Sequence, residues 1–387
     1  MAGILLVSFL LLILYVLLLL YYRFSWSQIP DFVPDSQVLS TQVTVIVPAR
    51  NEEHSLPGLL MALSEQSYPS TLFTVLVIDD HSTDNTASII ASFGGNIQLV
   101  SLKDHVEPGF MNSFKKKAIE TGIQLSEGTL IITTDADCIM GENWLRTIVS
   151  FYEKYTPAFI AAPVSINCSN RFIEIFQALD FMTLQGITGA SVHKNIHSMC
   201  NGANLAYERS AFNDVEGFMN IDSIASGDDM LLMHKIYQRY PERVKFIKSP
   251  DAIVNTTPVR SVKEFLNQRI RWASKADKYD DKRIFFVLLL VYIINVLLLA
   301  LPVIALFDNP IFSFLEFKVS LVGAWLVLLV LKTFAELLFL FPVSRFFGKQ
   351  RLLLLFPVMQ PFHIVYTVIA GWLGKFGSYN WKERQVK

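Results

Sequence analysis

The 387-residue chain is 52% hydrophobic and only 17% charged, short of the quarter or so of charged residues usual in a soluble domain. A formal net charge of −1 offers no basic field to neutralise phosphates, which argues against a nucleic-acid partner. The three cysteines, Cys138, Cys168 and Cys200, lack metal-ligand spacing and are odd in number, so free thiols in a reducing compartment are expected rather than a disulfide framework.

The first element is residues 4–22, an apolar run without one charge. As a helix it spans about 28 Å, close to the thickness of the hydrocarbon core. No basic residue leads it, and Tyr21, Tyr22, Arg23 and Phe24 follow where a signal peptide would put small residues. Residues 1–23 therefore read as a retained anchor. Arg23 on its trailing side predicts that residues 24–283 lie in the cytosol.

From residue 42 to about 135, short β-branched runs (43–47, 73–79, 97–102 and 129–135) alternate with helical stretches at 55–66, 82–93 and 112–125. Strands alternating with helices predict crossover units and a doubly wound, mostly parallel α/β sheet. Ligands sit beyond the carboxyl ends of such strands. Three of these runs end in polar clusters: Arg50-Asn51-Glu52, Asp79-Asp80 and Asp135-Ala136-Asp137. One crevice collecting all three is expected. There is no G-x-G-x-x-G and no G-x-x-x-x-G-K-[ST], so a nucleotide must be held by carboxylates, a metal and basic side chains.

Asp135 and Asp137 point the same way from a strand end, where two carboxylates suit a hard divalent cation completed by diphosphate and water. Asp79 and Asp80 are poor strand formers that repel each other, and one of them suits a nucleobase N–H or a ribose hydroxyl. Asp84 and Asn85 read as caps of the helix that follows. Lys115, Lys116 and Lys117 open a helix; two belong to a solvated face and one could reach a diphosphate. Ser226-Gly227-Asp228-Asp229 precedes an amphipathic run. The pair either caps that helix or includes a base that takes a proton from an acceptor hydroxyl. Gln268-Arg269-Ile270-Arg271-Trp272 comes just before the chain turns apolar again. Arg271 suits a departing diphosphate and Trp272 an apolar wall for an acceptor, or the two serve as an interfacial anchor.

Residues 284–375 hold three apolar segments, at about 284–306, 319–341 and 352–374. Lys332 and Glu336, four apart, are expected to meet on one helix face turned towards protein. Pro357 and Pro361 interrupt the last segment, which reads as kinked, re-entrant or interfacial. The basic tail, 376–387, then stays in the cytosol.

In order and spacing, VPARNEE, VIDDHSTD, FKKKAIETGI, TTDADC, NGANLAYERSAF, SGDDMLL and QRIRW resemble the family 2 glycosyltransferases, over about residues 42–275. The resemblance implies a GT-A fold, a nucleotide-sugar donor (usually a UDP-sugar), Mg²⁺ or Mn²⁺ and inversion at the anomeric carbon. It would set Arg50 and Glu52 beside the nucleoside, and Asp79 and Asp80 on base and ribose. Lys115 would lie at the diphosphate, and Asp135 and Asp137 at diphosphate and metal. Asp229 would be the base with Asp228 beside it, while Gln268, Arg271 and Trp272 would form the Q-x-x-R-W clamp. Polysaccharide synthases of this group carry Phe-Phe-Cys-Gly where this chain has Met199-Cys200-Asn201-Gly202, and the C-terminal apolar segments are few for a polymer channel. A single transfer to a membrane lipid or lipid-linked acceptor, at the cytosolic face of the plasma membrane, is therefore expected before processive polysaccharide synthesis.

Overall fold

The structure, a computed structural model, describes residues 2–35, 37–106, 113–221, 227–275, 281–314, 317–377, 379–381 and 384–386. Asn112 at the start of the lysine helix, Ser226 ahead of the acidic pair, and Lys382 and Lys387 in the basic tail lie outside the described residues. In chain order the first half holds α1 (Ala2–Gln28), β1 (Val43–Ala49), α2 (Leu56–Ser64), β2 (Phe73–Asp79), α3 (Thr86–Phe93), β3 (Ile97–Ser101), α4 (Phe114–Leu125), β4 (Leu130–Thr133), β5 (Cys138–Met140), α5 (Trp144–Tyr155), β6 (Phe159–Ala161) and β7 (Val164–Ile166). There follow α6 (Phe172–His193), β8 (Leu205–Glu208), α7 (Arg209–Asp214), α8 (Asp228–Arg239), β9 (Val244–Phe246), β10 (Val254–Thr256), α9 (Val262–Ala273), α10 (Lys282–Phe307), α11 (Leu321–Phe346) and α12 (Phe356–Phe376).

The chain divides into two compact units. Met1–Gln28, Ser169–Gly186 and Val259–Lys387 make the first, and Ile29–Cys168 with Ile187–Pro258 the second. The second is the α/β unit. Its main sheet runs β3-β2-β1-β4-β8-β6-β9. The first four strands are mutually parallel, whereas β8 is antiparallel to both β4 and β6. β1, β2 and β4 are buried almost throughout and largely apolar, as strands of a parallel sheet covered on both faces are, which is why their runs are nearly continuous in sequence. A smaller sheet, β5-β10-β7, completes the unit.

Strand order reverses between β1 and β4. The chain passes from β1 outward through β2 and β3, then crosses back to lay β4 on the other side of β1. Such a switch point opens a crevice at the carboxyl ends of the two strands. The register widens it: β1 pairs with β2 as far as Ala49↔Asp79, but with β4 only to Ile46↔Thr133. Pro48, which has no N–H to give, falls just past the last β1–β4 pair, where a central strand can tolerate it. Gly122 lets α4 sit close on β1, since a Cβ there would stand 2.8 Å from the Ile46 side chain.

The first unit is helical. Ala2–Gln28, Lys282–Phe307, Leu321–Phe346 and Gln350–Phe376 are long and apolar enough, by length and composition, to cross a membrane. α1 continues past the anchor read from its sequence. Arg23 donates to the Leu338 carbonyl, and buried Trp26 meets Phe346 edge-on at 5.6 Å. Lys332 and Glu336 pair at 2.7 Å as their spacing predicts. Gln360 completes a ring by accepting from Lys332 at 2.8 Å and donating to Glu336 at 2.7 Å, and Tyr15 donates to Glu336 at 2.6 Å. Burying such a pair is costly unless its remaining hydrogen bonds are made, and these side chains from α1, α11 and α12 make them. Over the prolines the chain forms one continuous helix, with Pro357 in the first turn, where no N–H is needed, and Pro361 inside it. Gly374 brings α12 against the end of α9, where a Cβ would stand 2.9 Å from the Ser274 backbone nitrogen. Small residues permit that approach.

Candidate active site

The loops leaving β1 and β2 interlock. Asn51 and His81 both adopt left-handed backbone, with φ of 51° and 56°. Ser82 Oγ accepts the Asn51 N–H at 3.0 Å, and Asn51 Oδ1 accepts the Thr83 N–H at 2.9 Å. Each loop thus holds the other in a conformation that non-glycine residues reach at some cost, a pattern concentrated at functional sites. Arg50 donates to the Asp80 carbonyl at 3.0 Å and lies 3.7 Å from its carboxylate. Asp79 and Asp80 are both buried, and Asp79 accepts the Ser82 N–H at 3.3 Å. Asp84 does what a cap does: it accepts from the Thr86 N–H and hydroxyl at 3.0 and 2.6 Å, and from the Glu53 N–H at 3.1 Å. Burial tends to raise the Asp84 pKa, but those Thr86 and Glu53 bonds outweigh it and hold the carboxyl below its ordinary value. Asn85 instead gives its amide to Glu53 at 2.9 Å.

At the end of β4, Lys115 from α4 meets Asp135 at 2.6 Å and stands 4.0 Å from Asp228 at the start of α8. Burial pulls its ammonium pKa down, but Asp135, Asp228 and Asp229 together raise it above the ordinary lysine value, so the charge persists. Of the three lysines read as alternatives, Lys116 is buried on the Ile221 carbonyl and Lys117 pairs with Glu120 on its own helix. Lys115 is the one that faces the acids. Asp137, half-buried, accepts the Thr256 hydroxyl at 3.1 Å. β10 carries Thr256 to that position by pairing it with Cys138 on β5. Burial first, then Asp135 and Glu52, raise the Asp137 pKa. Among the described residues no group of three or more His, Cys, Asp or Glu is arranged to hold a metal ion. The chain would supply one or two carboxylates, a set suited to a cation that keeps water and phosphate oxygens.

α8 begins after Gly227, at φ 82°, so that Asp228 and Asp229 occupy its first turn. Asp228 is buried beside Lys115, while Asp229 is half-buried. Asp229 accepts the Gly202 N–H at 2.9 Å with one oxygen and the Met230 N–H at 2.8 Å with the other. Gly202 packs closely against this cluster: a Cβ there would lie 3.2 Å from Lys115 Nζ and 3.6 Å from Asp229. The loop bearing it is fixed by Asn204, fully buried, whose amide donates to the Pro163 and Ala252 carbonyls at 2.8 Å each and accepts from Trp144 at 3.1 Å. Neither Asn204 nor Thr256 stands out in the sequence, though Asn204 lies within the quoted NGAN segment.

Nine of the twelve residues singled out from the sequence (Arg50, Glu52, Asp79, Asp80, Lys115, Asp135, Asp137, Asp228 and Asp229) lie in the α/β unit. The other three, Gln268, Arg271 and Trp272, lie on α9 in the helical unit. α9 starts from a capping box in which Ser261 accepts the Glu264 N–H at 3.2 Å and Glu264 accepts the Ser261 N–H at 3.1 Å. Spacings of three and four put Gln268, Arg271 and Trp272 on one half-buried face.

The sequence model of glycosyl transferase family 2 matches residues 44–216. Glycosyltransferase AglE of Haloferax volcanii is 32% identical over 111 residues, 28% of this chain and 34% of AglE. Probable glycosyltransferase YdaM of Bacillus subtilis is 24% identical over 240 residues, 60% of this chain and 54% of YdaM. The match thus spans about a third and about half of the length of these two relatives. Among solved structures, mannosyltransferase PcManGT of Pyrobaculum calidifontis, in complex with GDP-Man and Mn²⁺, superimposes with a TM-score of 0.55 at 18% identity, covering 96% of this chain and 97% of that one. The architecture is GT-A-like, an α/β fold with a mostly parallel sheet.

Proposed function

We propose, from the match of residues 44–216 to the glycosyl transferase family 2 model, that the chain moves a sugar, with inversion, from a nucleoside diphosphate to a membrane lipid or lipid-linked acceptor. The observation that carries this reading is the meeting of Lys115 with Asp135 and Asp228 at the carboxyl end of β4, beside the strand-order switch. A persistent ammonium among carboxylates suits a diphosphate, which brings negative charge to one partner and, with a divalent cation, positive charge to the others.

In the proposed reaction the acceptor oxygen bonds to the anomeric carbon while the bond from that carbon to the diphosphate oxygen breaks. The diphosphate keeps the electron pair, and the acceptor proton goes to Asp229. Asp229 suits that task because it is less buried than Asp228, and the Gly202 and Met230 N–H groups hold its carboxylate in place. Asp228, buried against Lys115, keeps the ammonium oriented. Arg50, Glu52, Asp79 and Asp80 line the loops that would receive base and ribose, while Gln268, Arg271 and Trp272 would serve diphosphate and acceptor. Mg²⁺ or Mn²⁺, held by Asp135 and Asp137, would neutralise charge building on the departing diphosphate.

The four apolar helices support a membrane-bound enzyme. Arg23, Arg345, Lys349 and Arg351 flank them in the pattern of cytosolic loops, so the α/β unit should face the cytosol beneath the plasma membrane. A cysteine replacing exposed Ser92 should then resist an impermeant thiol reagent added to intact cells and react once the cells are opened. Labelling of the intact cells would reverse the orientation.

The direct test uses purified protein in detergent with a lipid extract and UDP-glucose, UDP-N-acetylglucosamine or GDP-mannose. The panel spans both bases because PcManGT was solved with GDP-Man. One donor should release its nucleoside diphosphate and label one lipid with a single sugar. No release from any donor that binds would sink the proposal, and a ladder of long products would favour processive synthesis.

A further inference from the structure

Within Gln268-Arg269-Ile270-Arg271-Trp272 the motif leaves the second position unspecified, yet Arg269 is the residue around which this part of the helical unit is built. It is 5% exposed. Its Nε and Nη2 donate to Asp180 Oδ2 on α6 at 3.0 and 2.7 Å, and its Nη1 donates to Gln268 Oε1 at 2.8 Å. Its guanidinium carbon lies 4.6 Å from the Phe265 ring centre and 4.2 Å from that of Trp272. Asp180 is held in turn, since Tyr366 of α12 donates to its other oxygen at 2.5 Å. Phe181, next to Asp180, meets Trp272 with ring centres 6.2 Å apart.

We propose that Arg269, locked by Asp180 and Tyr366, is a positioning residue that orients the Gln268 amide and the Trp272 indole for sugar transfer. The inference rests on the proposed role of Gln268 and Trp272. Two physical points carry it. A buried ion pair is weak as a source of stability, because an apolar pair of similar volume commonly serves as well or better. What the pair offers beyond stability is direction. A guanidinium has only donors, so its bond to Gln268 must take the carbonyl oxygen of the amide. The end of Gln268 that can then turn to a ligand is its NH₂, a donor suited to phosphate or hydroxyl oxygens. The same group lies over the Trp272 ring, 4.2 Å from its centre, and a planar guanidinium tied to Asp180 can hold that ring more firmly than a lysine ammonium would.

The test is the double replacement Asp180→Leu/Arg269→Met, purified in detergent and checked by its elution profile and thermal midpoint. It is expected to stay folded. On whichever of UDP-glucose, UDP-N-acetylglucosamine and GDP-mannose the wild type turns over, kcat should fall roughly 10- to 100-fold, as for a slight misplacement of positioning groups. Donor KM should move less than about twofold, because only transition-state interactions would be lost. A folded double variant with wild-type kcat, or one that changes KM alone, overturns the inference. Should the double variant fail to fold, Arg269→Lys decides. It keeps the charge opposite Asp180 without the fork, and it should lose kcat about tenfold by the same argument; wild-type kcat overturns the inference. Gln268→Ala separates the two layers. If it transfers at the wild-type rate, the role of Q-x-x-R-W is wrong. If it is crippled while the Arg269 variants are not, only the positioning role falls.

Discussion

Asp229→Asn is expected to bind the donor nearly as well as the wild type while transfer falls by about 10²–10⁴, the range for losing a general base. Asn has nearly the size of Asp but cannot take the acceptor proton. Its effect on the fold must be separated from that on chemistry. Asp229 accepts two backbone N–H groups, from Gly202 and Met230, whereas Asn offers one acceptor oxygen. One N–H is therefore stripped of its protein partner, at a cost of roughly 1–3 kcal/mol if water cannot replace it. The position is only half-buried, so water can reach it, and the thermal midpoint should drop only slightly. A capping role predicts a different outcome, since Asn caps helices about as well as Asp, and transfer would survive. Active Asp229→Asn beside a dead Asp228→Asn would move the base to Asp228, and two active variants would remove the pair from catalysis.

The parts of the site that can be read from sequence are those whose reason is local. β1, β2 and β4 declare themselves because burial on both faces makes each a nearly continuous apolar run, and the acids that follow stand where such a run has no use for them. Lys332 and Glu336 are legible because a helix brings residues four apart together. Asp84 is legible as a cap for the same reason: its partner Thr86 is two residues away. The rest depends on partners that only the fold brings together. Thr256 reaches Asp137 because β10 pairs with β5, across 119 residues of chain. Asn204 ties Pro163 to Ala252 through one side-chain amide. Arg269 looks like filler between two motif positions until Asp180 and Tyr366, 89 and 97 residues away on other helices, are seen to hold it. The second half of the main sheet has the same difficulty: β6, β8 and β9 are three or four residues each, too short for their period to register, and β8 runs against the parallel trend.

Removing the divalent cation is expected to abolish transfer, and Asp137→Asn to reduce it by roughly 10²–10³, as losing several kcal/mol of charge stabilisation would. The electrostatics of the site predict that this variant folds. Burial raises the Asp137 pKa, and Asp135 and Glu52 raise it further, so the ionised carboxyl costs the folded state energy. For a carboxyl with a raised folded pKa, the stabilising contribution is present below its unfolded pKa and is lost as pH rises through the folded value. Asn resembles the neutral form at every pH and can still accept the Thr256 hydroxyl, so at neutral pH the metal-free variant should melt no lower than the wild type. Lys115 gives the second half of the argument. It already occupies Asp135 at 2.6 Å, which leaves Asp137 as the acid whose charge calls for a cation. Nucleotide binding should accordingly weaken in excess EDTA for the wild type and change little for Asp137→Asn. Wild-type turnover undiminished in EDTA would end the metal reading. Asp137→Asn that still needs Mg²⁺ or Mn²⁺ at wild-type concentrations would transfer the cation to Asp135.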